Sequence, residues 1–117
     1  TDFLPTILDA AHKPVPNAAK LDGRSFYPQL IGKSGTPREW VFCHYDPRPG
    51  WDKDKFRMQR FARDKQFKLY GNGKLYHIPR DLTEQRPLPA QYDWKESAAA
   101  RETLQAVLDE MPAPLPK

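Results

Sequence analysis

Apolar residues near the start of the chain, Phe3, Leu4, Ile7, Leu8 and Ala11, recur at helical spacing. Pro5 is tolerated only in a first turn, so the helix is expected to start near Leu4, and Pro14 and Pro16 end it. Residues 13–37 lose all periodicity. They carry Pro14, Pro16, Gly23, Pro28, Gly32, Gly35 and Pro37, with one apolar patch at 26–31 that suits a short helical turn. A connector this irregular is expected to pack on something. Residues 38–45 are rich in aromatics and read as a strand. Trp40, Phe42 and His44 fall on one face and Val41, Cys43 and Tyr45 on the other. Both faces are largely apolar, as in a central strand covered on both sides.

Asp46-Pro47-Arg48-Pro49-Gly50 stops that strand, and an antiparallel meander follows. Residues 56–62 and 67–70 read as strands joined by a turn at 63–66. Gly71-Asn72-Gly73 is a strong hairpin signal, residues 74–78 pair back, and Pro79 removes a ladder donor. After a second connector with Pro79, Pro87 and Pro89, a long helix is expected from near Trp94. Asp93 and Glu96 have the spacing of a capping box. Leu104, Val107, Leu108 and Met111 form its apolar stripe, and Pro112, Pro114 and Pro116 end it. The expected class is α+β: a small four-stranded antiparallel sheet packed with a C-terminal helix, plus an N-terminal helix and long Pro-rich connectors. One helix covers one face of a sheet. The other face is expected to need the connector, a partner chain or a further domain.

Composition narrows this picture. The 117 residues allow one domain and hardly two, and they bury roughly two-thirds of the surface the unfolded chain exposes. The thirteen prolines require much loop, while three Trp, five Tyr and six Phe argue against disorder. Mean hydropathy is −0.83, and no apolar run approaches the ~20 residues of a membrane helix. The net charge of +4 is a modest excess that attracts anions only weakly. The lone Cys43 excludes an internal disulfide. Thr1-Asp2-Phe3-Leu4 reads as an entry in mid-protein.

Catalytic constellations are sparse. Cys43 and His44 are adjacent strand residues that point to opposite faces, so they make a poor dyad, and Cys43 is expected to be a buried small hydrophobe. His12, His44 and His77 lack any ligand motif. Arg57, Arg60, Arg63, Lys65 and Lys68 alternate with aromatics, but Arg57 and Arg60 fall on opposite faces and no RNP-like motif is present, so nucleic acid is not expected as a partner. The segment from His44 to Trp51 is the most site-like stretch. It places His44, Asp46, Arg48 and Trp51 in a proline-stiffened loop at a strand end. Arg48 could grip a sulfate, phosphate or carboxylate through paired N–H donors, and Trp51 could stack on a sugar face. The same residues could equally pack and pair locally.

Five segments, in order, resemble the C-terminal region of the type I, formylglycine-dependent arylsulfatase-like sulfatases of the alkaline-phosphatase superfamily. Asp2-Phe3-Leu4-Pro5-Thr6-Ile7-Leu8-Asp9-Ala10-Ala11 is similar to that family's D-(I/L)-x-P-T-(I/L)-L-x-x-A helix. Leu21-Asp22-Gly23-Arg24-Ser25-Phe26-Tyr27-Pro28-Gln29-Leu30 resembles (L/I)-D-G-x-S-(L/F)-x-P-L-L. Phe42-Cys43-His44-Tyr45 resembles the W-x-H-(Y/F) strand, and residues 61–70 resemble the R-x-x-x-(Y/F)-K-(L/Y) hairpin. Residues 75–85 resemble L-(Y/F)-(D/N)-(L/I)-x-x-D-P-x-E, with Leu82 in place of the usual Pro and Pro87 where Asn is common.

The resemblance implies a division at 1–37 (helix and junction with a larger N-terminal domain), 38–111 (the sulfatase C-terminal subdomain) and 112–117 (tail). It implies a parent that uses calcium and a formylglycine made in a C/S-x-P-x-R motif. That motif is absent from these 117 residues, because Cys43 is followed by His44-Tyr45-Asp46. No catalytic residue, metal ligand or cofactor is therefore expected in this chain. Substrate contacts are expected from His44, Asp46, Arg48 and Trp51, toward a sulfated small molecule or glycan. The resemblance also implies a periplasmic or secreted parent. A non-catalytic binding module for sulfated glycans or other polyanions is the alternative, and a phosphoryl-transfer enzyme of the same superfamily is a further rival. A homodimer through the strand carrying Trp40, Val41, Phe42 and Tyr45 is a further expectation for the isolated chain.

Overall fold

The computed structural model describes residues 1–16, 21–46, 55 and 57–111. They fall into two compact units, one from Thr1 to Arg38 and one from Glu39 onward. The class is α+β, with one four-stranded antiparallel sheet, an N-terminal helix and a C-terminal helix.

In the first unit, α1 spans Phe3–Ala10 and a single turn, α2, spans Tyr27–Leu30. The irregular connector between them is tied back onto α1. The Thr6 hydroxyl donates to Asp2 O at 2.7 Å and accepts from the Phe26 amide at 3.1 Å, and the Ser25 hydroxyl donates to Asp9 at 2.6 Å. Phe26 meets Phe3 edge-on. Asp2 is the hub. It takes the Arg24 amide at 2.9 Å and the Arg38 guanidinium at 2.6 to 3.1 Å, and Arg38 also donates to Asp22 O. At Gly23 a Cβ would lie 2.1 Å from the Thr1 carbonyl oxygen, so only glycine lets the two backbones approach.

In the second unit the strands are β1 (Val41–Tyr45), β2 (Gln59–Arg63), β3 (Phe67–Tyr70) and β4 (Leu75–His77), side by side in chain order. α3 spans Lys95–Glu110, after a short 3-10 turn at Ala90–Tyr92. Register places Phe42 opposite Ala62, Ala62 opposite Leu69, and Leu69 opposite Leu75. These side chains share one face. With Phe67 they close on Ala100, Leu104, Val107 and Leu108 of α3, while Trp40, Phe42, Leu88 and Met111 pack around the rim. The apolar stripe read in the sequence is thus the core-facing side of α3.

Three local expectations change. β1 is an edge strand of the described sheet, not a central one. Its apolar residues are divided, with Trp40 and Phe42 packed against the core and Val41 and Tyr45 exposed. Cys43 is accordingly only half-buried, because no described element covers its face at the edge. The start of α3 is capped one residue later than Asp93 and Glu96 suggest. The Trp94 amide donates to the fully buried Ser97 hydroxyl at 2.9 Å, and that hydroxyl donates to Asp93 at 3.0 Å. Asp93 instead spends its second oxygen on Arg101 at 2.7 Å, which Glu96 cannot offer.

Candidate functional site

β1 carries His44 and Asp46 to one end of the sheet, where both are exposed. His44 lies opposite Arg60 and Tyr45 opposite Gln59. Arg48 and Trp51, the other two candidate contacts, lie outside the described residues. The structure therefore brings His44 and Asp46 to the same strand end. By alternation His44 shares the α3 face with Phe42, so it points away from Cys43. Cys43 lies opposite Phe61, which is not a base.

The same sheet holds a cluster that the sequence patterns did not single out, running from its middle row toward the end away from His44. On the face turned away from α3, Phe61, Tyr70 and Tyr76 form a ladder, with ring centroids 5.6 Å and 5.8 Å apart. The Lys68 ammonium lies over the Phe61 and Tyr70 rings, at 4.1 Å and 4.7 Å from their centroids. It also donates to Glu84 at 2.7 Å, and the Tyr70 hydroxyl donates to the other Glu84 oxygen. Burial alone would lower the Lys68 pKa, but its bonds to Glu84 and Tyr70 outweigh it and raise the value. Burial would raise that of Glu84, but Lys68 and Tyr70 hold it down. The Tyr70 phenol is pushed up by burial and then by the Glu84 carboxylate. The cluster therefore keeps an ammonium, a carboxylate and a neutral phenol around neutral pH. It holds protons in place, and nothing in it is poised as a base or nucleophile.

Glu84 reaches this position through the turn that precedes it. Asp81 accepts the Gln85 amide at 3.0 Å and the Arg86 amide at 2.8 Å, while its carbonyl accepts the Glu84 amide at 3.1 Å. The turn closes with Leu82 at the position where proline is usual, and Leu82 is 80% exposed. Glu84 adopts φ +56°, the left-handed region. The visible signal for this cluster was the D-x-x-E turn together with Lys68 and Tyr70 two residues apart on one strand.

Beside the cluster lies an open cleft of about 530 Å³, lined by Arg57, Gln59, Tyr70, Asn72, Lys74 and Glu84 among others. Among the described residues no three His, Cys, Asp or Glu side chains converge as a metal site would require. The described residues thus do not fit the calcium ion that the resemblance implies for a parent enzyme. Among the described residues no helix is long and apolar enough to cross a membrane.

No family model and no curated protein matches the chain. Solved structures do. A crystal structure of a protein from Bacteroides thetaiotaomicron VPI-5482, assigned as a sulfatase, superposes with a TM-score of 0.63 at 28% identity, over 93% of this chain and 23% of that one. BT4656, solved in complex with its substrate D-glucosamine-2-N,6-O-disulfate, superposes with a TM-score of 0.67 at 26% identity, over 93% of this chain and 22% of that one. The chain is built like the C-terminal region of a sulfatase. It spans less than a quarter of the length of either structure. Within this sulfatase-like frame, the D-x-x-E segment is the turn that sets Glu84, and the L-D-G segment is where the chain backs onto Thr1.

Proposed function

We propose that this chain is the C-terminal part of a larger sulfatase, in which it closes one side of the substrate pocket and selects the sulfate ester. Hydrolysis then belongs to the remainder of the protein, because the 117 residues contain no C/S-x-P-x-R motif. The reading is carried by one observation. The chain shares its fold over 93% of its length with a protein whose substrate is a disulfated glucosamine. His44 and Asp46, exposed at the end of β1, are the contacts offered to the substrate, with Arg48 and Trp51 following in the same segment. An imidazole and a guanidinium suit a sulfate and sugar hydroxyls, and an indole suits a sugar face.

The test is sulfate release from D-glucosamine-2-N,6-O-disulfate by the full reading frame that carries this chain. The full protein is expected to turn over. His44→Ala and Arg48→Ala are each expected to lower kcat/KM by roughly 10- to 100-fold, the cost of a lost charge-assisted contact. The 117-residue chain alone, supplied with calcium, is expected to release nothing. Turnover by the isolated chain, or unchanged kcat/KM in both variants, would overturn the reading.

A further inference from the structure

The cleft on the sheet face turned away from α3 is chemically lopsided. Its one carboxylate, Glu84, is already neutralised by Lys68 at 2.7 Å. Arg57 and Lys74 are both exposed, and among the described residues neither forms an ion pair. Their charges are therefore uncompensated at the cleft. Between them stand hydrogen-bonding groups that suit hydroxyls: the Gln59 and Asn72 amides, and the Glu84 carboxylate, whose oxygens keep acceptor capacity. The Tyr70 ring, half-buried, supplies an apolar wall. The volume of about 530 Å³ falls in the range of small-ligand pockets.

Two of its walls are tied in place. Tyr70 is fixed by Glu84 and by its ring neighbours, and the Gly71–Gly73 tip is pinned by the Gly71 amide to Arg60 O at 2.9 Å and by Arg101 to Gly73 O at 3.2 Å. A pre-organised wall lowers the entropy lost on binding. The cleft sits at the same end of the sheet as His44 and Asp46, since Tyr45 lies opposite Gln59.

We infer that this cleft is a second saccharide-binding site, in which Arg57 and Lys74 take an acidic substituent of the sugar while Gln59, Asn72 and Glu84 take its hydroxyls. The choice of a sugar as the ligand rests on the function proposed above; the site itself is distinct from the His44 contacts.

The test is an amide-resolved NMR titration of the 117-residue chain with glucose 6-sulfate, with glucose and sodium sulfate as separate probes at matched ionic strength. Expected are saturable shifts at Tyr70, Asn72 and Lys74 with glucose 6-sulfate. Glucose should bind at least tenfold more weakly and sodium sulfate should not saturate. Arg57→Gln and Lys74→Gln should each weaken binding roughly tenfold with an unchanged spectrum elsewhere. Because both side chains are exposed, these variants keep the fold. Equal response to sodium sulfate, shifts confined to His44–Asp46, or no shifts at all would each overturn the site. Only the sulfate-release assay on the full protein bears on the proposed function, so the two fail separately.

Discussion

Arg101 reaches back along α3 to Asp93, donating from Nε to one carboxylate oxygen at 2.7 Å and from a terminal nitrogen to the other at 3.1 Å. Two more of its donors end on Leu88 O at 2.9 Å and Gly73 O at 3.2 Å. One guanidinium thus joins the helix, the connector before it and the β3–β4 hairpin tip. Arg101→Met is expected to cost about 2–4 kcal/mol, because it strands a carboxylate whose side chain is only 10% exposed. Arg101→Lys should recover less than half, since an ammonium cannot reproduce the planar fork. Urea unfolding followed by tryptophan fluorescence reads both. A loss below ~0.5 kcal/mol in Arg101→Met would contradict this role.

Glu84 combines a strained backbone, φ +56°, with two side-chain partners. Glu84→Ala and Glu84→Gly both remove the carboxylate and leave Lys68 without its anion. They differ in the backbone, where glycine alone occupies the left-handed region without a Cβ clash. Glu84→Gly is therefore expected to be more stable than Glu84→Ala by about 1 kcal/mol, the reverse of the usual order. Equal stabilities, or alanine the more stable, would count against strain at this turn.

The local elements were legible in the sequence wherever one signal dominated. Phe67–Tyr70 is a strand as the pattern has it, Gly71-Asn72-Gly73 turns the hairpin, and Leu104, Val107 and Leu108 face the core. Expectations failed where the deciding partner was distant. Apolar residues on both faces of β1 do not reveal that it is an edge, because edge or centre depends on which strands find it. The N-cap moved to Trp94 and Ser97 because Arg101, eight residues on, claims Asp93. At the candidate site, His44 and Asp46 stand at a strand end as read. The Lys68–Glu84–Tyr70 cluster was hidden because its members are 14 and 16 residues apart and meet only through sheet register and the Asp81 turn.

Acid should unfold the chain through its paired carboxylates. Arg101, with help from Ser97, holds Asp93 below its ordinary value, and Lys68 and Tyr70 overcome burial to lower Glu84. In the first unit the Arg38 guanidinium and then the Arg24 amide hold Asp2 well below the usual carboxylate range. A folded pKa below the unfolded one gives stability that is fully present above the unfolded value of about 4 and is lost as pH falls through the folded value. Urea midpoints should therefore be flat from pH 6 to about 5 and fall steadily below about 4. Asp93→Asn should be less stable at pH 6 and show a shallower acid limb. A midpoint that rises on acidification would refute the sign.

The C-terminal end of α3 is held by a strand residue instead of a local cap. A terminal nitrogen of Arg60 donates to Leu108 O at 2.9 Å and Met111 O at 3.1 Å, while its guanidinium lies 5.5 Å from the Phe42 ring centroid. These carbonyls belong to the last turn, where unpaired acceptors and the negative end of the helix dipole favour a cation. The helix has no basic residue of its own in that turn, so Arg60 supplies the charge across the core. Arg60→Ala should cost about 1–2 kcal/mol, and the loss should be local. Native-state hydrogen exchange should then show the amides of Val107 to Met111 exchanging roughly tenfold faster, with those of β3 and β4 protected nearly as before. Uniformly faster exchange across the sheet would mean that Arg60 supports the whole core, and unchanged exchange would mean that the helix end is held without it.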